Sequence, residues 1–204
     1  MLQPIHLAHT PADLTLYVAV YREVENASSL KQQLLAGNTE FEYAFIDASM
    51  ILSTKQALAA VFRAINDYLN HRLKSRNIHS EIVFCLSPNN NIGEAFRRFG
   101  VSDATKDLLV IKVATTPDVT LESVGRHLST HVQGQESPFD DATFRATADL
   151  DRIRKVYKIS SLAPKATGRK PSTTSNGIPN GENMDATKNL EVQILGLMAL
   201  RGAT

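Results

Sequence analysis

Short apolar segments that are rich in β-branched and aromatic residues recur along the chain and predict four β-strands. They cover residues 14–21, 41–46, 81–86 and 107–113. In the first segment, Leu14, Leu16, Val18 and Val20 share one face, while Thr15, Tyr17, Ala19 and Tyr21 share the other. The third segment is apolar through most of its length, which is typical of a strand buried on both faces. We therefore expect residues 81–86 to form a central strand.

Apolar residues at three- and four-residue steps predict helices between and after these strands. The longest predicted helix covers residues 52–73, and shorter ones cover 27–36, 92–99, 121–128, 150–157 and 189–200, with a loop at 134–138. Together these elements predict one mixed α/β domain, in which helices surround a four-stranded sheet. The long helix between the second and third strands allows a parallel crossover, so the pattern leaves the strand direction open.

The composition changes sharply after residue 160. Residues 161–182 are mostly Pro, Gly, Ser, Thr, Asn and Lys, which predicts a flexible linker. The chain is therefore expected to comprise a domain at 1–160, the linker, and a C-terminal segment at 183–204 whose helix packs back on the domain.

The last predicted helix is apolar on more than one face. Its apolar residues are Leu190, Val192, Ile194, Leu195, Leu197, Met198, Ala199 and Leu200. A helix that docks on its own domain needs only one apolar stripe. Two interpretations remain open: the helix is wedged into the core, or its second face contacts a partner protein.

Charge and cysteine content narrow the function classes. The 22 Lys and Arg residues nearly balance the 21 Asp and Glu residues, which argues against a protein that coats nucleic acid by bulk electrostatics. The single cysteine, Cys85, excludes an internal disulfide and favours a cytosolic or nuclear protein. We expect no membrane-spanning helix and no signal peptide.

The usual signatures of catalysis and metal binding are missing. His127 and His131 share a helix spacing, but no third ligand accompanies them, so two ordinary helix histidines are favoured. Asp140 and Asp141 are interpreted as a helix start and Cys85 as a buried strand residue. Dinucleotide, Walker and serine-nucleophile motifs are absent from the sequence. We therefore predict no catalytic residue, no metal site and no cofactor.

Residues 80–101 carry the most distinctive motif. An apolar segment leads into Leu-Ser-Pro-Asn-Asn-Asn-Ile and a short helix that ends in Phe-Gly. This segment resembles the PRPK-binding (TPRKB-like) family, the small regulatory subunits of the EKC/KEOPS complex. Residues 149–160 are similar to a later helix of that family, and the resemblance covers 14–160 and 185–204. The segment 161–182 departs from shorter members and looks like a fungal insertion.

The resemblance implies a largely antiparallel sheet and a non-catalytic function. Members of the family bind and regulate the small atypical kinase/ATPase of the complex, through which they join its other subunits. The complex makes threonylcarbamoyl-adenosine next to the anticodon of tRNA, and its fungal form is linked to telomere maintenance and transcription. The resemblance therefore implies a location in the nucleus, at the chromosome and telomere, and in the cytoplasm.

Two sets of site residues follow from combining the resemblance with the sequence pattern. Kinase contacts are expected from Leu190, Ile194, Leu197 and Met198, which share one stripe of the last helix. RNA contacts are expected from Asn89, Asn90 and Arg97, unless the asparagine motif is only a turn and helix cap. An alternative function is an RNA-binding module whose main role is to grip the tRNA 3′ end.

Overall fold

The computed structural model describes residues 1–12, 14–159 and 180–201, without the side chains of 180–185. The strands are β1 (Gln3–Ile5), β2 (Leu16–Arg22), β3 (Ala44–Asp47), β4 (Leu108–Val113) and β5 (Gln135–Ser137). The helices are α1 (Ala27–Leu35), α2 (Thr54–Leu69), α3 (Ile78–Cys85), α4 (Ile92–Phe99), α5 (Leu121–His131), α6 (Asp141–Thr147), α7 (Leu150–Tyr157) and α8 (Asn180–Leu200). The predicted linker lies outside the described residues except for 180–182, which are helical.

The sheet is antiparallel throughout the described strands. Its order is β1–β2–β4–β3, and β5 pairs with the same edge of β2 as β1 does. Val18 of β2 lies opposite Ile111 of β4, and Ala44 of β3 lies opposite the same residue on its other side. The predicted fold class, a mixed α/β domain with an antiparallel sheet and a C-terminal helix, is confirmed.

The predicted strand at 81–86 is wrong, because residues 78–85 form helix α3. Asn77 caps this helix by accepting a hydrogen bond from the Ser80 N–H at 2.8 Å. Seven of the eight residues of α3 are buried, among them Ile82 and Phe84. Since a helix that is covered on all sides is apolar on all sides, its sequence resembles a buried strand.

Two short strands and the ends of α2 also differ from the prediction. The predicted loop at 134–138 contains β5, which pairs with Tyr21 and its neighbours, and β1 adds a strand that the pattern did not indicate. Helix α2 is shorter than the predicted 52–73, because Ser53 caps its start and His71 adopts a positive φ of 53° just beyond its end. These differences concern two short, mostly exposed strands and the ends of one helix.

The sheet separates two hydrophobic cores. Leu16, Val18 and Val20 of β2 face helices α2, α3, α7 and α8 in the larger core. Ala19 and Tyr21 face the opposite core, which α1 and α5 cover. The alternation predicted for residues 14–21 is thus confirmed, and α8 lies on the side of the larger core.

None of the helices within the described ranges combines the length and the apolar character needed to cross a membrane.

Candidate partner-binding surface

Helix α8 packs on the domain through one stripe of side chains. Leu190, Ile194 and Met198 are buried in the larger core, and Leu197 is partly buried against it. Their spacing of four residues places one side chain on each successive turn. The structure therefore places three of the four predicted kinase contacts inside the domain, where they hold α8 in place. Their contact with a kinase stays a prediction.

Arginine side chains fasten the C-terminal end of α8. Arg63 of α2 donates to the carbonyl oxygens of Met198 and Arg201, at 2.7 and 3.1 Å. The last carbonyls of a helix generally lack intrahelical donors, so a guanidinium there satisfies them and favours the helix dipole. Arg201 in turn donates to the Phe84 carbonyl and lies 3.9 Å above the Phe84 ring. The two arginines thus join α8 to α2 and α3.

Arg201 reaches a buried group of polar side chains. The Asp67 and Glu81 carboxylates and the Cys85 sulfur lie within 4.8 Å of one another. Arg201 donates to the Cys85 Sγ at 3.5 Å, and Arg72 pairs with Asp67 at 3.3 Å. Burial raises the pKa of the Cys85 thiol to about 11 although Arg201 opposes the shift, so the thiol stays protonated near neutral pH. Arg72 offsets the Asp67 carboxylate, and Glu81 accepts hydrogen bonds from Ser75 and from the Lys74 N–H. The hydrogen bonds of Arg201 to the Phe84 carbonyl and to Cys85 anchor α8 beside this group. Cys85 is the last residue of α3 and not a strand residue.

The opposite face of α8 exposes apolar surface. Val192 is 67% exposed and Leu200 is 60% exposed. Between them lies Gly196, where an added Cβ would meet no atom of the described residues within 4 Å. Exposed large apolar side chains that lie close together are typical of a surface that contacts another protein. We call Val192, Gly196 and Leu200 the outer face of α8.

A groove borders this outer face. It has a volume of about 780 Å³ and lies between α8, the end of α7 and the turn before α4. Leu197 and Leu200 form one wall, and Val156 and Ile159 form another. The outer face and the groove together give an apolar surface that a protein partner can cover.

The asparagine turn is largely occupied by its own hydrogen bonds. The Asn89 amide donates to Glu94 at 2.9 Å and its oxygen accepts from the Asn91 N–H at 3.1 Å. Asn91 caps α4 by accepting from the Glu94 N–H at 2.9 Å. Because these bonds fix the turn, the cap interpretation accounts for Asn89, while Asn90 is exposed.

The three predicted RNA-binding residues are not brought together. Asn89 borders the groove beside α8, whereas Arg97 lies near the other end of α4 and lines a separate cleft. Their contact with RNA stays a prediction. Other basic residues pair within the protein: Arg98 with Glu94, Arg152 with Asp47 and Arg154 with Asp151.

The two histidines and the aspartate noted in the sequence, His127, His131 and Asp140, contact other groups of the protein. His127 and His131 pack against each other with ring centres 4.5 Å apart, and the Tyr43 hydroxyl lies 3.1 Å from the His127 Nδ1. Burial lowers the pKa of His127, and the neighbouring His131 adds to the shift. Asp140 caps α6, which confirms the predicted helix start.

The sequence pattern did not identify the residues that fasten and shape α8. Arg63 lies between the apolar positions of the predicted helix 52–73, as exposed basic residues often do, and Arg201 follows the last apolar turn, where a basic residue is common. Gly196 had no signal beyond being a glycine inside a helical pattern, which costs stability and often has a packing reason.

Comparisons with known proteins show the family to which the chain belongs. The family described as kinase binding protein CGI-121 matches residues 21–202. The EKC/KEOPS complex subunit cgi121 of Aspergillus terreus is 56% identical over 203 residues, which cover 100% of this chain and 98% of that protein. The subunits of the same name from Aspergillus fumigatus and Coccidioides immitis are 49% and 47% identical, and each alignment covers 100% of this chain and at least 98% of the relative. The chain therefore belongs to the CGI-121 family of kinase-binding proteins.

Proposed function

We propose that this chain is a non-catalytic subunit of an EKC/KEOPS complex that binds and regulates the small atypical kinase/ATPase of that complex. Through the kinase it meets the other subunits and supports threonylcarbamoyl-adenosine modification of tRNA. The proposal extends to telomere maintenance and transcription, with a location in the nucleus and the cytoplasm. The names of the fungal relatives and of the kinase-binding family support the parts of the proposal that concern the complex and kinase binding.

The observation that carries the proposal is the outer face of α8. The inner stripe of α8 already packs in the core, so Val192 and Leu200 are not needed for packing. Both side chains nevertheless expose most of their apolar surface. Burying that surface against a kinase would remove it from water, which is the main favourable contribution in protein association. Gly196 leaves the helix backbone open, so a partner element can approach closely there.

The test replaces the outer face without disturbing the core. In the full chain, Val192→Glu combined with Leu200→Glu places two charges in the contact, and we expect the affinity for the partner kinase to fall at least tenfold. Titration calorimetry with the purified kinase measures the change, and circular dichroism checks folding. Gly196→Leu is a second variant: leucine favours a helix more than glycine, and an added Cβ meets no atom of the described residues within 4 Å, so we expect folding to persist while kinase binding weakens.

The matched control changes two exposed leucines behind the other sheet face. Leu35→Glu in α1 and Leu121→Glu in α5 alter side chains that are 78% and 44% exposed. We expect the control to bind the kinase as the unchanged chain does. If the α8 variants bind the kinase as tightly as the unchanged chain does, the outer face is not the contact surface. If the unchanged chain does not bind the kinase, the proposed function is wrong.

Gripping of the tRNA 3′ end is the second candidate function. Asn90 and Arg97 favour it, since both are exposed and neither has a partner among the described residues. A salt series separates the two functions, because binding through phosphates weakens steeply with salt while an apolar protein interface does not.

A further inference from the structure

A second apolar cavity shares no lining residue with the groove beside the outer face of α8. It has a volume of about 380 Å³ and lies between the end of α1, the start of α3 and the end of α4, beside the edge strand β3. We call it the α1–α3 cleft. Its apolar lining consists of Leu34, Leu35, Tyr43, Phe45, Val83, Phe96 and Val101. The volume falls in the lower part of the range for ligand pockets, about 300–1,000 Å³, which suits one or two apolar side chains.

Most polar side chains in this cleft form hydrogen bonds within the protein. The Asn38 oxygen accepts from the Glu40 N–H at 3.1 Å, and the Asn77 oxygen caps α3. The buried His79 accepts the Val113 N–H through Nε2 at 3.0 Å. With that nitrogen as acceptor, the neutral ring carries its proton on Nδ1, which has no acceptor among the described residues. This nitrogen is buried, so it adds no polar surface to the cleft.

Among the described residues, three basic side chains and one carboxylate, that of Glu42, line the cleft. Arg76 and Arg97 are exposed and have no hydrogen-bond or ion-pair partner in the described part of the chain. Lys31 also lines the cleft but pairs with Asp103 at 2.9 Å. A free guanidinium binds carboxylates in a bidentate way, so two of them at an apolar opening favour an apolar group flanked by acids.

The chemistry of the lining distinguishes a peptide from RNA. Reading a nucleotide requires free hydrogen-bonding groups that face the edges of a base. Asn38, Asn77 and the Nε2 of His79 are already engaged, so the interior offers mainly apolar surface. A peptide needs only an apolar anchor inside and charged residues outside, which is what the cleft and its mouth supply.

We propose that the α1–α3 cleft binds a short acidic segment of a partner protein other than the kinase. One apolar side chain of the segment occupies the cleft, and flanking carboxylates pair with Arg76 and Arg97. The site is separate from the outer face of α8, so both partners can bind the same chain.

The test uses a designed probe because the partner is unidentified. A fluorescein-labelled hexapeptide with two central leucines between pairs of glutamates is titrated with the full chain, and fluorescence anisotropy reports binding. We expect saturable binding that weakens at least tenfold with Arg76→Glu combined with Arg97→Glu. Ser80→Phe, which fills the cleft from α3, should weaken binding without changing charge. The matched control, Arg126→Glu combined with Arg145→Glu, reverses two exposed arginines elsewhere and should bind normally.

Two companion titrations decide between the occupants. The same peptide with lysines in place of the glutamates should not bind, and adding the kinase should not displace the acidic peptide. The proposal is overturned if a short single-stranded RNA binds and depends on Arg76 and Ser80 while the peptide does not. Equal binding of the acidic and basic peptides, or displacement by the kinase, overturns it as well. Kinase affinity measured on the same variants keeps this outcome separate from that of the proposed function.

Discussion

His79 is a buried histidine whose environment keeps it neutral. It lies at the start of α3 and accepts a backbone hydrogen bond from Val113 of β4. Burial lowers its pKa to about 3, and the positive charge of Lys112 adds to the shift. In an unfolded chain the same side chain titrates near its ordinary value of 6.5. The folded and unfolded states therefore differ in bound protons between about pH 3 and pH 6.5.

This difference predicts how stability depends on pH. Below pH 6.5 the unfolded chain binds a proton that folded His79 does not, so the free energy of unfolding decreases as the pH falls toward 3. The slope approaches about 1.4 kcal/mol per pH unit. His79→Gln keeps an oxygen acceptor for Val113 but cannot titrate, so its stability should fall by about 1–2 kcal/mol less between about pH 7 and about pH 5. Urea unfolding at several pH values measures this. An exposed control, His6→Gln, should retain the original slope, and an unchanged slope in His79→Gln would contradict the assignment.

Helix α3 shows where the sequence pattern reaches its limit at the scale of an element. Strand β2 was predictable because its two faces enter different cores, which preserves the alternation. Helix α3 is enclosed by α2, α4, β3 and β4, so no polar face marks its period. The distinguishing signal was Asn77, which caps the helix three residues before Ser80. An apolar segment preceded by such a cap favours a helix over a strand.

The cap of α3 gives a measurable contribution to stability. Asn77→Ala removes the acceptor for the Ser80 N–H, and we expect the free energy of unfolding to fall by about 0.5–2 kcal/mol. Chemical denaturation measures it. The matched control is Asn90→Ala, at an exposed asparagine of the turn before α4, which should change stability by less than about 0.5 kcal/mol. Equal effects of the two substitutions would show that the Asn77 hydrogen bond does not stabilise α3.

At the scale of the whole molecule, α8 is both a core element and a surface element. The sequence predicted that its apolar residues exceed what one-sided packing needs, and the exposure of Val192 and Leu200 accounts for that excess. It did not predict which stripe faces inward. Leu190 and Val192 are both apolar in the sequence, and it is the packing of α8 on the domain, mainly on α2, that buries Leu190. The kinase contacts predicted from apolar spacing therefore lie mainly on the inner stripe of α8, which faces the core.

The inner stripe predicts that α8 unfolds together with the rest of the domain. Ile194 is fully buried in the larger core, so Ile194→Ala should lower the free energy of unfolding by about 2–5 kcal/mol. Val192→Ala, two residues away and 67% exposed, should change it by less than about 0.5 kcal/mol. Urea unfolding followed by circular dichroism compares the two variants. Because Arg201 covers Cys85, a faster reaction of Cys85 with a thiol reagent in Ile194→Ala would report release of α8. If both substitutions had the same small effect, α8 would contribute nothing to the cooperative core, and its buried stripe would be free to serve a partner instead.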